Sequence, residues 1–219
     1  MKIKNLSKRL QAIADLVGPC DRVWDIGCDH AYLSAYLLAS GQVREMICTD
    51  INEGPCKRAE SELKEAGVWE RAQLFCCNGF GECNIRDGDV IVIAGMGAHE
   101  IVSILSQREI PASVRLVLQP NWKREVLRKH LANQGYEILE HIVLDKNFRY
   151  SLFEARYTGN KRSLSMIEAG IGEYWLEGER LKQLPLSWLD YLLRVYQSRQ
   201  KKYPEYNELC QFLRVLCER

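Results

Sequence analysis

Between Arg22 and Gln134 five short apolar runs alternate with four stretches of helical length. The runs 22–26, 45–50, 72–77, 89–95 and 114–119 read as strands, and 30–40, 54–66, 97–108 and 122–134 as the helices between them. Strands alternating with helices of this size are joined by right-handed β-α-β crossovers, which make a mostly parallel sheet. Val90-Ile91-Val92-Ile93-Ala94 is apolar throughout, the pattern of a strand covered on both faces. After Gly135 two strand-like runs, 136–144 and 149–157, are joined by Asp145-Lys146-Asn147. That joint is short enough for a hairpin, so the sheet should end antiparallel.

In such a sheet ligands bind beyond the carboxyl ends of the strands, where the helices diverge to opposite faces. The first such turn is Asp25-Ile26-Gly27-Cys28-Asp29-His30. A dinucleotide fingerprint, G-x-G-x-x-G, needs two more glycines after Gly27, but those places hold Asp29 and Tyr32. A carboxylate at Asp29 would repel a pyrophosphate and suits an ammonium or sulfonium, which points to S-adenosylmethionine rather than NAD. Asp50 ends the second strand, where a carboxylate can accept hydrogen bonds from both ribose hydroxyls, with Ile51 beside it. Asn78-Gly79 follows the third strand, where an amide could pair with the adenine edge. Ala94-Gly95-Met96-Gly97 follows the fourth, offering close backbone approach and the free N–H groups of a helix start. Five parallel strands with a closing hairpin are the seven-stranded, Rossmann-like α/β arrangement of methyltransferases.

Composition bounds the rest. The chain has 219 residues, 47% of them hydrophobic, enough for one α/β domain and a modest appendage. A net charge of +1 predicts no partner, so a nucleic-acid surface must come from local patches. Nine cysteines include no C-x-x-C pair and no zinc spacing, so no metal is expected; Cys48, Cys76 and Cys210 lie in apolar runs as small hydrophobes. There is no apolar leader at the N-terminus and no apolar run near the ~20 residues that span a bilayer. A cytoplasmic protein that does not enter membranes is expected, a monomer in the simplest case.

Residues 5–17 form one amphipathic helix whose polar side opens with Lys2, Lys4, Lys8 and Arg9. Basic residues at a helix start oppose the macrodipole, so Lys8 and Arg9 are expected to meet phosphate. After strand five, Gln119-Pro120-Asn121-Trp122 offers two amides to read a base edge and an indole to stack on one. Arg124, Arg128 and Lys129 on the next helix could reach phosphates. From about 159 the chain changes character. A helix capped by Ser187 is broken at Pro204, and Leu209, Phe212, Leu213 and Leu216 mark a second helix, suggesting an antiparallel hairpin. Too short for a core of its own, it should pack on the main domain and present Lys201 and Lys202 at its bend. The division expected is 1–158 for catalysis and 159–219 for a helical extension.

Methyl transfer from a sulfonium depends mainly on positioning the nucleophile. No Asp/Asn-Pro-Pro-aromatic motif follows strand four, which favours a ring nitrogen over an exocyclic amine as acceptor; Asp29, His30, Asn121 and Tyr150 are the candidates to assist. The run Asp25-Ile26-Gly27-Cys28-Asp29-His30-Ala31-Tyr32-Leu33, followed by Ile93-Ala94-Gly95-Met96-Gly97 and Leu118-Gln119-Pro120-Asn121, resembles the bacterial tRNA adenine-N1 methyltransferase family acting at tRNA position 22. Leu6-Ser7-Lys8-Arg9-Leu10 and Glu53-Gly54-Pro55 are similar to that family too, so the resemblance covers about 5–157. It implies an S-adenosylmethionine site built from Asp25, Gly27, Asp29, His30, Asp50, Asn78 and the Gly95–Gly97 turn, and a coiled-coil-like C-terminal part that helps hold tRNA. Ser34 replaces a proline of the pattern, Asp50 a glutamate, Ala98 a glycine, and Ser151 an acid after Tyr150. The last change leaves Tyr150 a positioning or stacking role. Another acceptor on the same fold, or a non-catalytic binding module, are the rival readings.

Overall fold

The computed structural model describes residues 5–146 and 148–218. Lys2, Lys4 and Asn147 therefore lie outside the described residues. Helix α1 (Lys8–Val17) starts where the Ser7 hydroxyl accepts the Leu10 N–H, and buries Ile13, Ala14 and Val17. The alternation follows: β1 (Cys20–Ile26), α2 (Tyr32–Ala39), β2 (Val43–Asp50), α3 (Glu53–Glu65), β3 (Ala72–Cys76), β4 (Val90–Met96), α4 (Ala98–Leu105), β5 (Arg115–Pro120) and α5 (Arg124–Gln134). The hairpin is β6 (Tyr136–Asp145) and β7 (Phe148–Tyr157).

The seven strands form one sheet in the order β3-β2-β1-β4-β5-β7-β6. β1 to β5 pair in parallel, while β7 runs antiparallel between β5 and β6. The lack of polar alternation has its cause in the two layers. Val23, Met46 and Val92 face α1–α3 with Leu37, Leu38 and Leu63. Trp24, Ile91, Ile93 and Leu118 face α4 and α5 with Ile101, Leu127 and Leu131. The helices change face between β1 and β4, so the switch point falls where the first turn was read.

The C-terminal segment carries α6 (Met166–Ile171), α7 (Glu173–Leu176), α8 (Leu186–Gln200) and α9 (Asn207–Cys217). Pro185, not Ser187, is the N-cap of α8; proline's fixed φ suits that helix start, and Ser187 falls inside the first turn. The expectation that this segment lacks a core also needs correction. Ile171, Trp175, Trp188, Leu192, Tyr196, Leu209, Leu213 and Leu216 form an apolar cluster separate from those on the sheet.

Beneath that cluster α5 supplies a buried polar seam. Arg128 is 1% exposed. Its Nε and Nη2 bind Glu140 at 3.2 and 2.6 Å, and its Nη1 donates to the Ala169 and Gly170 carbonyls at 2.6 and 2.9 Å. Ser151 donates its hydroxyl to the same glutamate. Glu125 accepts from Arg199 (2.6 Å), Tyr206 (3.1 Å) and Tyr196 (3.2 Å). Arg124 is buried against the Trp188 and Tyr191 rings. Arg128 and Arg124 thus tie layers together, correcting their assignment as phosphate contacts. Among the described residues no helix is long and apolar enough to cross a membrane, and no cluster of three or more His, Cys, Asp or Glu could hold a metal.

Candidate functional site

A cavity of about 540 Å³ opens beyond the carboxyl ends of β1, β2 and β4. Asp25, Gly27, Asp29, His30, Asp50, Ile51, Asn78, Gly79, Ala94, Gly95 and Met96 all line it, and so does Arg9 from α1. The walls also include Glu100, Ser103 and Ile104 of α4, which the reading of strand ends had no means to find.

At the β1 end the backbone is held by its neighbour. Gly27 and Cys28 donate their N–H groups to the Thr49 carbonyl at 2.7 and 2.9 Å. Gly27 has φ +75°, and a Cβ there would collide with the Met96 methyl, so both conformation and space require glycine. Asp25 is buried and accepts the Ser34 hydroxyl at 2.5 Å. Burial raises its carboxyl from 3.8 to about 6, while the Ser34 hydrogen bond and the charge of Arg9 pull it down. The serine that departs from the family pattern is thus the partner of the cavity's most buried acid.

Asp50 is the best-anchored acid. One oxygen accepts the Asp29 N–H at 3.2 Å and the other the Asn52 N–H at 3.0 Å. Each carboxylate oxygen keeps further acceptor capacity, so the group can take ribose hydroxyls without moving. Asp29 itself has φ +50° and a 66% exposed side chain. Its carboxylate stands 3.7 Å from His30 and 4.0 Å from Arg58. His30 lies flat on Tyr32, with ring centroids 5.3 Å apart, and accepts from Arg58 Nε at 3.2 Å. Arg58 comes from the middle of α3, far from any strand end, and no sequence signal marked it.

The end of β5 and the residue after it form a chain of amides that touches the cavity wall at Arg9 and Gly95 without lining the cavity itself. Arg9 Nη1 donates to Gln119 Oε1 at 2.8 Å, Gln119 Nε2 to Asn121 Oδ1 at 3.1 Å, and Asn121 Nδ2 to the Gly95 carbonyl at 2.6 Å. Gln119 is 1% exposed, and both ends of its amide are held, the oxygen by Arg9 and the nitrogen by Asn121. It orients its neighbours and presents no edge to a base, a correction to its expected role. Pro120 is buried as well. Gly97 does not line the cavity; a Cβ there would stand 2.7 Å from the Trp122 indole. Its part is to seat Trp122, which is 54% exposed, rather than to touch a cofactor. Tyr150 is half-buried beneath the Arg9 guanidinium, 5.7 Å from the ring centroid, and beside Phe148. Lys8 is exposed on α1. Lys201 and Lys202 are exposed at the α8–α9 bend, away from the cavity lining.

All nine cysteines are free. Cys48 and Cys210 are buried as expected, but Cys76 is exposed. Its position at the end of β3, where pairing stops, explains the difference. Cys28 is pushed up by its hydrogen bond to Cys48 and by burial, and burial and the Cys76 thiol push Cys56 up to about 12. Neither is poised as a nucleophile.

The family of methyltransferase domains matches residues 6–153. The chain belongs to that family. It is 30% identical over 144 residues to the tRNA (adenine(22)-N(1))-methyltransferase of Bacillus subtilis, a match that covers 65% of this chain and 60% of that protein. It is also 30% identical over 202 residues to a candidate tRNA methyltransferase of Mycoplasma genitalium, covering 90% of each. A Streptococcus pneumoniae protein assigned to tRNA m1A22 methylation, solved with S-adenosyl-L-methionine, matches with a TM-score of 0.82 and 25% identity over 97% of this chain and all of that one. The match to the Bacillus subtilis enzyme spans less than two thirds of that enzyme's length. The methyltransferase sheet here is complete and carries the helical segment beyond it.

Proposed function

We propose that this methyltransferase transfers the methyl group of S-adenosylmethionine to N1 of an adenine at position 22 of tRNA. The observation that carries the reading is the Asp50 carboxylate, fixed by two backbone N–H groups at the edge of a cavity that Asp25, Asp29 and Glu100 also line. The likeness to relatives named for that reaction supports the acceptor.

When bound, S-adenosylmethionine supplies an electrophilic methyl on a sulfonium. Asp50 holds the ribose, Asn78 and Gly79 meet the adenine beside Ile51, and Asp25 and Asp29 favour the cationic end. The acceptor base must leave its stack to reach the methyl. Trp122 and Tyr150 offer it faces at the opening, and Asn121, locked by Gln119 and Gly95, keeps one amide N–H to orient it. N1 uses its own lone pair, so the protein holds the nucleophile in line and excludes water; the proton from the neighbouring amine is lost afterwards, with Asp29 and His30 the groups placed to assist. Residues 1–158 do this chemistry, while Lys8, Lys201 and Lys202 contact phosphates, the last two from the helical part at 159–219. The reading extends to a monomer acting on cytoplasmic tRNA.

The test is incubation with labelled S-adenosylmethionine and unmodified tRNA, followed by digestion to nucleosides and mass analysis. N1-methyladenosine is expected, and should vanish when position 22 of the transcript is changed. Label in any other nucleoside, or none in RNA, would overturn the assignment.

A further inference from the structure

We propose that Arg9 is the carboxylate clamp of the cofactor site, its guanidinium taking the amino-acid carboxylate of S-adenosylmethionine. This rests on the reading of the cavity given above. Arg9 belongs to α1, outside the β-α repeats, yet its side chain lines the cavity and is held from three sides. Gln119 accepts one N–H at 2.8 Å, the Tyr150 ring lies beneath the guanidinium, and its Nη1 is 3.5 Å from where a Cβ on Gly95 would stand. Among the described residues no carboxylate lies within 4 Å of it and Gln119 is its one hydrogen-bond acceptor. A guanidinium carries five donors in a rigid fork that matches a carboxylate. Leaving such a charge half-buried and mostly unpaired is unfavourable, unless an anion arrives.

The direction of the cofactor says which anion. Asp50 on β2 and Asn78 after β3 mark the ribose and adenine end. The amino-acid end then points back across Gly27 toward β1 and β4, where Asp25, Gly95 and Arg9 converge. An amino acid brings one ammonium and one carboxylate. Asp25 and Asp29 suit the first; the second needs a cation. Arg58, the other arginine nearby, is half exposed, engaged with His30 and not part of the lining. The neighbouring Lys8, exposed on the same helix, remains for phosphate.

Calorimetry on the full chain with two ligands decides it. S-adenosylhomocysteine carries the amino acid, and 5′-methylthioadenosine has the same nucleoside thioether without it. Arg9→Met should weaken S-adenosylhomocysteine about 10- to 100-fold, as for hydrogen bonds between charged groups, and leave 5′-methylthioadenosine within about twofold, which also certifies the fold; Arg9→Lys should fall between. In the wild-type protein, decarboxylated S-adenosylmethionine should bind more weakly than S-adenosylmethionine by a similar factor, a result that needs no variant. Equal losses of both ligands in Arg9→Met, or no penalty for the missing carboxylate, would overturn the clamp. Unchanged S-adenosylhomocysteine affinity with weakened tRNA binding would make Arg9 a phosphate contact instead. A wild-type protein that binds neither nucleoside would sink the cofactor placement itself.

Discussion

Arg9 and Arg128 look alike in the sequence, each a basic residue near the start of a helix, yet they stand in opposite surroundings. At the cavity, Arg9 is half-buried with an amide and a ring for company. In the seam under the C-terminal helices, Arg128 is sealed in with Glu140 and two carbonyls. The difference teaches that a positive charge is available to a ligand only where the protein has left its partner out. A cavity arginine is an incomplete pair; a seam arginine is a finished one.

Breaking the finished pair should have the largest effect. Arg128→Met leaves Glu140 buried without its cation, and should lower unfolding free energy by about 3–5 kcal/mol, measured by urea denaturation. A loss below about 1 kcal/mol, the range of a surface pair, would mean that the seam is open to water. Next comes Asp25, whose carboxyl is raised in the folded state. The raised value means that Asp25 contributes stability at pH below 3.8, and this is lost as pH rises through about 6. Over that window Asp25→Asn should remove about 3 kcal/mol of pH dependence from the unfolding free energy relative to wild type, read by denaturation at pH 4 and pH 8. Identical pH profiles would place Asp25 in contact with solvent.

Asp50→Asn keeps the shape but removes the charge proposed to accept ribose hydroxyls. It should weaken S-adenosylhomocysteine about 10- to 100-fold with little change in melting temperature; calorimetry showing an equal affinity would detach Asp50 from the cofactor. The smallest effect belongs to the bend. Changing Lys201 and Lys202 to Glu should weaken tRNA binding and lower the slope of log affinity against log salt by about two. An unchanged slope would limit the hairpin to a structural part.

The residues at strand ends were legible because β-α alternation fixes which end of each strand carries the ligand. Asp50, Asn78 and Gly95 followed from that rule alone, and the two-layer covering followed from apolar runs such as 90–94. Arg128 and Gln119 were misread because polarity says nothing about which layer will cover a residue. α5 is packed on its outer side by the C-terminal helices, so its polar positions became interior. Arg9 meeting Gln119, 110 positions away, is a consequence of tertiary packing that local pattern cannot carry. Gly97 was read as part of the cofactor turn because the indole that needs its space comes from another loop.

Glu125 binds side chains from α8 and from the turn before α9, and sits on the same helix whose preceding loop holds Asn121 and Trp122. Both attachments fall at the N-terminal end of α5, in its first turn and the loop before it, so one end of a stiff helix ties the lysine-bearing bend to the Asn121–Trp122 loop. A nucleic acid held by the bend would be set at a fixed offset from that loop, and the base delivered for methylation would be chosen by its place along the fold of the RNA rather than by its neighbours in sequence.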